Sequence, residues 1–198
     1  MTARTPKATS VTPDGEPDDF EIPTCWYGER NPAGGTRLVV SAPPEGLERA
    51  HRALIAAMSP TVQVLYRQII DRRDPQPQGS PARDFVGLGL DQERALATFR
   101  DLGTLLYSDA RGELWVRDDA GSQLVLDCDG LIFAYPDDPA FRDALVAAGF
   151  EEGQTQTVAE RDYVRHNFLV AADLDEDALI QRLNLSEVAP QARSGSRY

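Results

Sequence analysis

Lysine is almost missing from this chain: of its 20 basic residues only Lys7 is a lysine. Lys7 falls in a stretch, residues 1 to about 20, that is rich in Thr, Pro, Asp and Glu. Such a stretch has too few apolar side chains to offset the entropy of ordering and reads as a disordered acidic tail. Lysine-based covalent chemistry therefore has no carrier. Histidine is nearly as scarce, with only His51 and His166. The two cysteines, Cys25 and Cys128, make no disulfide framework. With no CxxC or HxxxH spacing, a zinc site would need four scattered residues to converge. Two free thiols in a reducing cytoplasm are the simplest expectation. No apolar run reaches the roughly 18 residues of a membrane helix. Met1 to Ser10 lacks the apolar stretch of a secretory signal.

Acid is what the chain has in excess. The formal net charge is −12 over 198 residues, with an ordinary 41% of hydrophobic residues. A field of that sign repels phosphate backbones and anionic lipid, which argues against nucleic-acid and membrane partners. It favours a basic protein.

Punctuation divides the chain. After the tail, residues 21–73 read as a strand segment and two helices packed on the main domain. Gly34 and Gly35 can turn Trp26-Tyr27 back along Leu38-Val39-Val40. Leu47, Ala50, Leu54 and Met58 recur at helical spacing. Ser59-Pro60 then reads as a cap and first-turn proline, starting a second helix with Val62, Leu65, Tyr66 and Ile69 inward. Residues 74–84 read as a linker, 85–185 as an α+β sheet domain, and 186–198 as a C-terminal tail. Within the sheet domain Asp91 can cap a helix that ends at Gly103. Four apolar runs, LLYS, ELWVRD, SQLVLD and LIFAY, are separated by turns ending in glycine, the mark of a meander. Asp138-Pro139 starts a helix that Gly149 stops. Tyr163 to Ala171 alternates as a strand paired with 154–160. Leu174 and Leu179 staple the start of a last helix. The expected fold is α+β: an antiparallel meander of about 4–6 strands, covered on one face by helices, with an N-terminal helix pair.

Candidate chemistry is thin. Alternation puts Trp115 and Arg117 opposite Leu114 and Val116. A face carrying Trp115, Val125 and Ile132, if open, is a binding surface. Alternate turns of a meander share an edge, which groups Asp109 with Asp127 and Asp129, and Asp118 and Asp119 with Asp137 and Asp138. Clustered carboxylates can bind a hard cation or split their pKa values for acid-base work. Asp is equally a preferred turn and cap residue. His166 could titrate near neutral pH on its strand, whereas His51 reads as an exposed helix residue. Phe85 to Asp91, FVGLGLD, begins like a dinucleotide fingerprint, but Gln92 stands at the third glycine position and no parallel βαβ surrounds it. No GxSxG elbow is present.

These residues point to a non-enzymatic, acidic interaction protein of a bacterial cytoplasm, without metal or cofactor, acting as monomer or homodimer. Toxin-neutralising immunity proteins fit that physical description, often being small acidic α+β domains that cover a basic surface. The element order from Asp91 to Leu185 also resembles that of type III secretion escort chaperones, a resemblance that implies a dimer holding an extended peptide. The third alternative is a hydrolase-like enzyme using His166 or the acidic turns.

Overall fold

The computed structural model describes residues 4–30, 34–79, 81–166 and 169–188. The chain opens with β1 (Ala8–Ser10), β2 (Cys25–Arg30), β3 (Thr36–Ser41), α1 (Pro44–Ala56) and β4 (Thr61–Gln68). It continues through β5 (Arg83–Asp91), α2 (Gln92–Asp101), α3 (Gly103–Ser108), β6 (Gly112–Asp118), β7 (Gln123–Leu126) and β8 (Leu131–Tyr135). It closes with α4 (Pro139–Ala147), β9 (Glu151–Glu152), β10 (Tyr163–Arg165), α5 (Ala172–Arg182) and β11 (Ser186–Val188). Among the described residues nine strands form one sheet in the order β11-β5-β4-β6-β7-β8-β3-β2-β9, and β1 pairs with β10 in a second. The large sheet is mixed, because β9 joins β2 in parallel while its other pairs are antiparallel.

The α+β class is therefore as expected, but the sheet of about 4–6 antiparallel strands with an N-terminal helix pair is not. The second helix of that pair is the strand β4. Val62, Leu65, Tyr66 and Ile69 do fit a helical stripe, but the burial alternates strictly: Val62, Val64, Tyr66 and Gln68 point inward. Eight residues rich in β-branched and aromatic side chains favour the strand. Ser59 is no helix cap, since its amide donates to Asp118. The run LLYS is helical, in α3. Asp91 caps α2 as expected and that helix ends just before Gly103, which in turn opens α3, where Leu105 and Leu106 still face the core. FVGLGLD is the antiparallel strand β5, already begun at Arg83 within the expected linker. The staple around Asp175 is absent, with Leu174 77% exposed.

Other elements follow their local chemistry. Asp138 accepts from the Ala140 amide at the start of α4. Gly149 takes φ +82°, and the Phe150 amide reaches the Leu145 carbonyl. That is the left-handed stop a glycine permits. β2 and β3 pair on either side of Gly34 and Gly35.

One face of the sheet carries the core. Leu38, Val40, Val62, Val64, Leu114, Val116, Leu124 and Leu126 meet Leu47, Leu54 and Ile55 of α1, Phe99 of α2, Phe141 of α4 and Leu179 of α5. At one end of this sandwich lies a buried ionic network. Arg111 is wholly buried and donates through Nε and Nη2 to Asp109, at 3.0 and 2.8 Å. Its Nη1 donates to Asp173 at 2.8 Å, and Nη2 also reaches the Leu169 carbonyl. Glu176, likewise buried, lies 3.6 Å from Arg111 and accepts from the Tyr66 hydroxyl at 2.6 Å. Arg72 pairs with Asp173, so α5 is tied to β4 and to the approach to β6. Gly112 is required beside it, because a Cβ there would stand 2.7 Å from the Arg67 carbonyl and from the Tyr66 ring.

Removing one partner of a buried pair strands the other charge. Arg111→Met is therefore expected to lower stability by about 3–5 kcal/mol in urea unfolding. Arg182→Met, which breaks an exposed pair with Asp101, should cost under about 1 kcal/mol. Equal losses in the two variants would show that the network does not anchor the fold.

Candidate functional site

Antiparallel register carries residues of one face straight across a sheet. On the side away from the helices Val86 stands beside Leu65, Leu65 beside Trp115, and Trp115 beside Val125. The row continues through Phe133 and Val39 to Tyr27. Seven strands thus contribute one apolar or aromatic side chain each, over roughly 29 Å at normal strand spacing. None of the seven belongs to the core that the helices cover. Trp115, Phe133, Leu65, Val86 and Tyr27 are half-buried, whereas Val125 and Val39 are closed over.

Arginines flank the aromatic members. The Arg37 guanidinium lies 4.2 Å above the Phe133 ring and donates to Glu29 and to the Tyr135 hydroxyl, each at 2.7 Å. Arg67 lies 5.9 Å from the Trp115 ring and grips both oxygens of Asp84, at 2.7 and 2.8 Å. The Trp115 indole N–H donates to Glu113 at 3.2 Å. These pairs leave the middle of the face nearly neutral, with Arg117 exposed in the adjoining row beside Gln63 and Gln123. Trp, Tyr and Arg around an apolar strip is the composition of interface hot spots.

Of the sequence candidates, Trp115, Arg117 and Val125 share this face. Ile132 does not: it pairs with Leu126 and Val40 toward the core, and Phe133 takes the outer place. The acidic turns do sit at the predicted ends of the strands, but the carboxylates of Asp109, Asp118, Asp127, Asp129, Asp137 and Asp138 have local partners, and Asp119 stands exposed. Asp109 holds Arg111. Asp127 accepts the amides of Asp129 and Leu131, and Asp129 pairs with Arg165 at 2.6 Å. Asp118 accepts the amides of Ser59 and Ser122, and Asp137 pairs with Arg142. Among the described residues no group of three or more His, Cys, Asp or Glu is placed to hold a metal ion.

Neither histidine stands in an open cleft with a carboxylate partner. His166 is half-buried, and its Nε2 shares a 2.6 Å hydrogen bond with Thr9 Oγ1. His51, expected on the exposed flank of α1, is fully buried. Its Nδ1 shares a 3.0 Å hydrogen bond with the Tyr107 hydroxyl, and its ring stacks on Phe99. Burial, helped by the Lys7 charge, pushes its pKa down to about 3. Both cysteines are buried and free. Burial, with Asp129 and Asp127 nearby, pushes the Cys128 thiol up to about 12, which makes it a poor nucleophile.

Lys7 is the residue that composition misplaces. It is 2% exposed and donates to the Asp127 carbonyl at 2.8 Å and to the Gly112 carbonyl at 3.4 Å. Burial lowers its pKa, and the nearby carboxylates, Asp127 first, oppose that shift. Ala8 and Ser10 alternate inward beside Thr9, but three residues are too short a pattern to stand out in a polar stretch. Lys7 lines only a small cavity, with Ile22, Leu47, Tyr107, Gly130 and Val158. It seals an end of the sandwich where the N-terminal segment crosses. An open groove of about 530 Å³ runs over α1, between Leu96 and Ala148. Its acids are engaged, because Arg4 bonds both Glu45 and Glu48.

A buried neutral imidazole that unfolding releases takes up a proton at moderately acid pH. Because the folded pKa of His51 lies below the unfolded value, its contribution is whole above about pH 6.5 and is lost as pH falls toward 3. His51→Gln is expected to flatten the fall in stability between about pH 6.5 and 4.5, by up to about 1.4 kcal/mol per pH unit. Urea unfolding across that range checks this, and parallel curves would place His51 in water. No known family model, curated protein or solved structure matches this chain, so its function is read from its own side chains.

Proposed function

We propose that this chain is a non-enzymatic, acidic protein-binding protein that holds a basic partner on the helix-free face of its sheet, in the manner of an immunity or inhibitor protein. The carrying observation is the unbroken row from Val86 through Trp115 and Phe133 to Tyr27. A sheet normally buries such a row under a second layer, whereas here five of its seven members keep part of their surface in water, as the residues of an interaction site do. The overall charge of −12 supports a cationic partner, because opposite fields speed encounter and like fields suppress wrong partners. What weighs against a hydrolase is the state of its candidate groups: the His166 ring is hydrogen-bonded to Thr9, and the carboxylates of Asp109 and Asp127 are engaged by Arg111 and by backbone amides. No helix among the described residues is long and apolar enough to cross a membrane.

The test is affinity capture by the full chain from extracts of cells that encode it. The native protein is compared with a Trp115→Ala, Phe133→Ala double variant whose melting is checked in parallel. Truncating central aromatic anchors typically costs 2 kcal/mol or more, so a single stoichiometric protein should be retained by the native chain and lost at least about 30-fold by the variant. Equal retention by a folded variant would move the binding site elsewhere, and no retained protein would end the reading.

A further inference from the structure

The helix-free face is neutral at its centre but not at its end. Beyond Tyr27 the sheet runs into an acidic lobe built from two distant segments, residues 12–24 and 151–165. β1 and β10 join them, and the Val11 amide reaches the Asp162 carbonyl. Arg161 donates to Ser10 and Asp18 and lies over the Phe20 ring. β9 attaches the second segment to β2, with Glu151 in register with Cys25 on the outer side. Because β2 also carries Tyr27, this pairing sets the second segment at the Tyr27 end of the row.

The lobe's cations are all engaged. Arg161 bonds Asp18 and Arg165 bonds Asp129. Its acids are not balanced in the same way: Asp14, Glu16, Asp19, Glu21, Glu160 and Asp162 are all exposed. The chain's surplus negative charge is therefore concentrated beside one end of the apolar row. Two copies of such a face would bring like charges together, which disfavours a second copy of this chain as the occupant.

We propose that the apolar row and the acidic lobe form one bipartite docking surface for a basic protein, whose apolar anchor sits over Trp115 and Phe133 while its arginines or lysines lie over the lobe beyond Tyr27. This rests on the binding reading above and adds the orientation and chemistry of the partner. The lobe steers and aligns by charge, and the row supplies the desolvated contact.

The probe is a synthetic peptide alternating arginine and leucine, with a twin in which glutamate replaces arginine. Binding to the full chain is followed by tryptophan emission. Trp115 is the half-buried reporter, whereas Trp26 is 3% exposed. The cationic peptide is expected to shift the emission and its acidic twin to leave it unchanged. Affinity should fall about tenfold or more on raising salt to about 0.3 M. It should fall similarly in the fourfold variant Asp14→Asn, Glu16→Gln, Asp19→Asn, Glu21→Gln. Phe133→Ser should weaken binding without changing its salt dependence. Equal binding of both peptides, or an indifferent fourfold variant, overturns the bipartite surface. So does an emission change that tracks the protein's own concentration, which would make the occupant a second copy. Capture of a neutral or acidic protein in the previous experiment would keep the binding reading and still sink this one.

Discussion

The buried guanidinium of Arg111 is the contact on which the rest of the molecule turns. A cation taken out of water at this depth is tolerable only if its donors are met by well-placed acceptors. Asp109 meets it locally, and Asp173 meets it from 62 residues further along the chain. The same residue's carbonyl accepts the amides of Ile69 and Ile70, where β4 leaves the sheet. Arg111 thus fixes the end of β4 through its backbone carbonyl, and the entry to β6 and the first turn of α5 through its side chain. Once α5 is held there, the chain emerging from it can lie along β5 as β11. Lys7 closes the sheet in the same manner, on the carbonyls of Gly112 and Asp127. Both fully engaged buried cations therefore belong to sealing, and neither is left available for chemistry.

That arrangement makes the sheet one-sided. All five α-helices among the described residues contribute to covering a single face, so the opposite face must be stabilised by its own cross-strand neighbours. Arg37 and Arg67 achieve this by lying over Phe133 and Trp115 while satisfying Glu29 and Asp84. An open face invites a partner, but an open edge invites aggregation. Here the edge strands are short, three residues in β11 and two in β9, and they carry Glu187, Glu151 and Glu152. Short charged edges of this kind resist pairing with the strands of another chain.

How much of this the sequence reveals depends on whether one period or two fit the residues. α4 is legible because its cap, first-turn proline, apolar stripe and glycine stop all agree. The hairpins of β6, β7 and β8 are legible because turns with glycine at positive φ separate alternating runs; Gly121 and Gly130 are at +95° and +84°. β4 is misread because Val62, Leu65, Tyr66 and Ile69 match a helical stripe while Val62, Val64, Tyr66 and Gln68 match a strand. Only the buried partners on β5 and β6 decide between the two. The nine described strands of one sheet are not foreseeable from local pattern, because the β2–β3 hairpin joins at β8, β9 at β2 and β11 at β5, all by long-range pairing. On the face, Trp115, Arg117 and Val125 follow from simple alternation. Phe133 requires the register of β7 on β8, which a turn of uncertain length leaves one residue adrift.

Arginine in place of lysine gives the surface its charge pattern. Seven described arginines, among them Arg37, Arg67, Arg142 and Arg161, lie over aromatic rings. Six of these seven also grip carboxylates. A planar guanidinium can do both at once, as an ammonium cannot. Such pairing neutralises the body of the sheet locally, so the excess of acid is displaced to the places that arginines do not reach. The exposed acids of residues 12–24 and 151–165 are the largest of these. Charge and apolar surface are therefore segregated on the molecule, which is the arrangement that the proposed docking of a basic partner calls for.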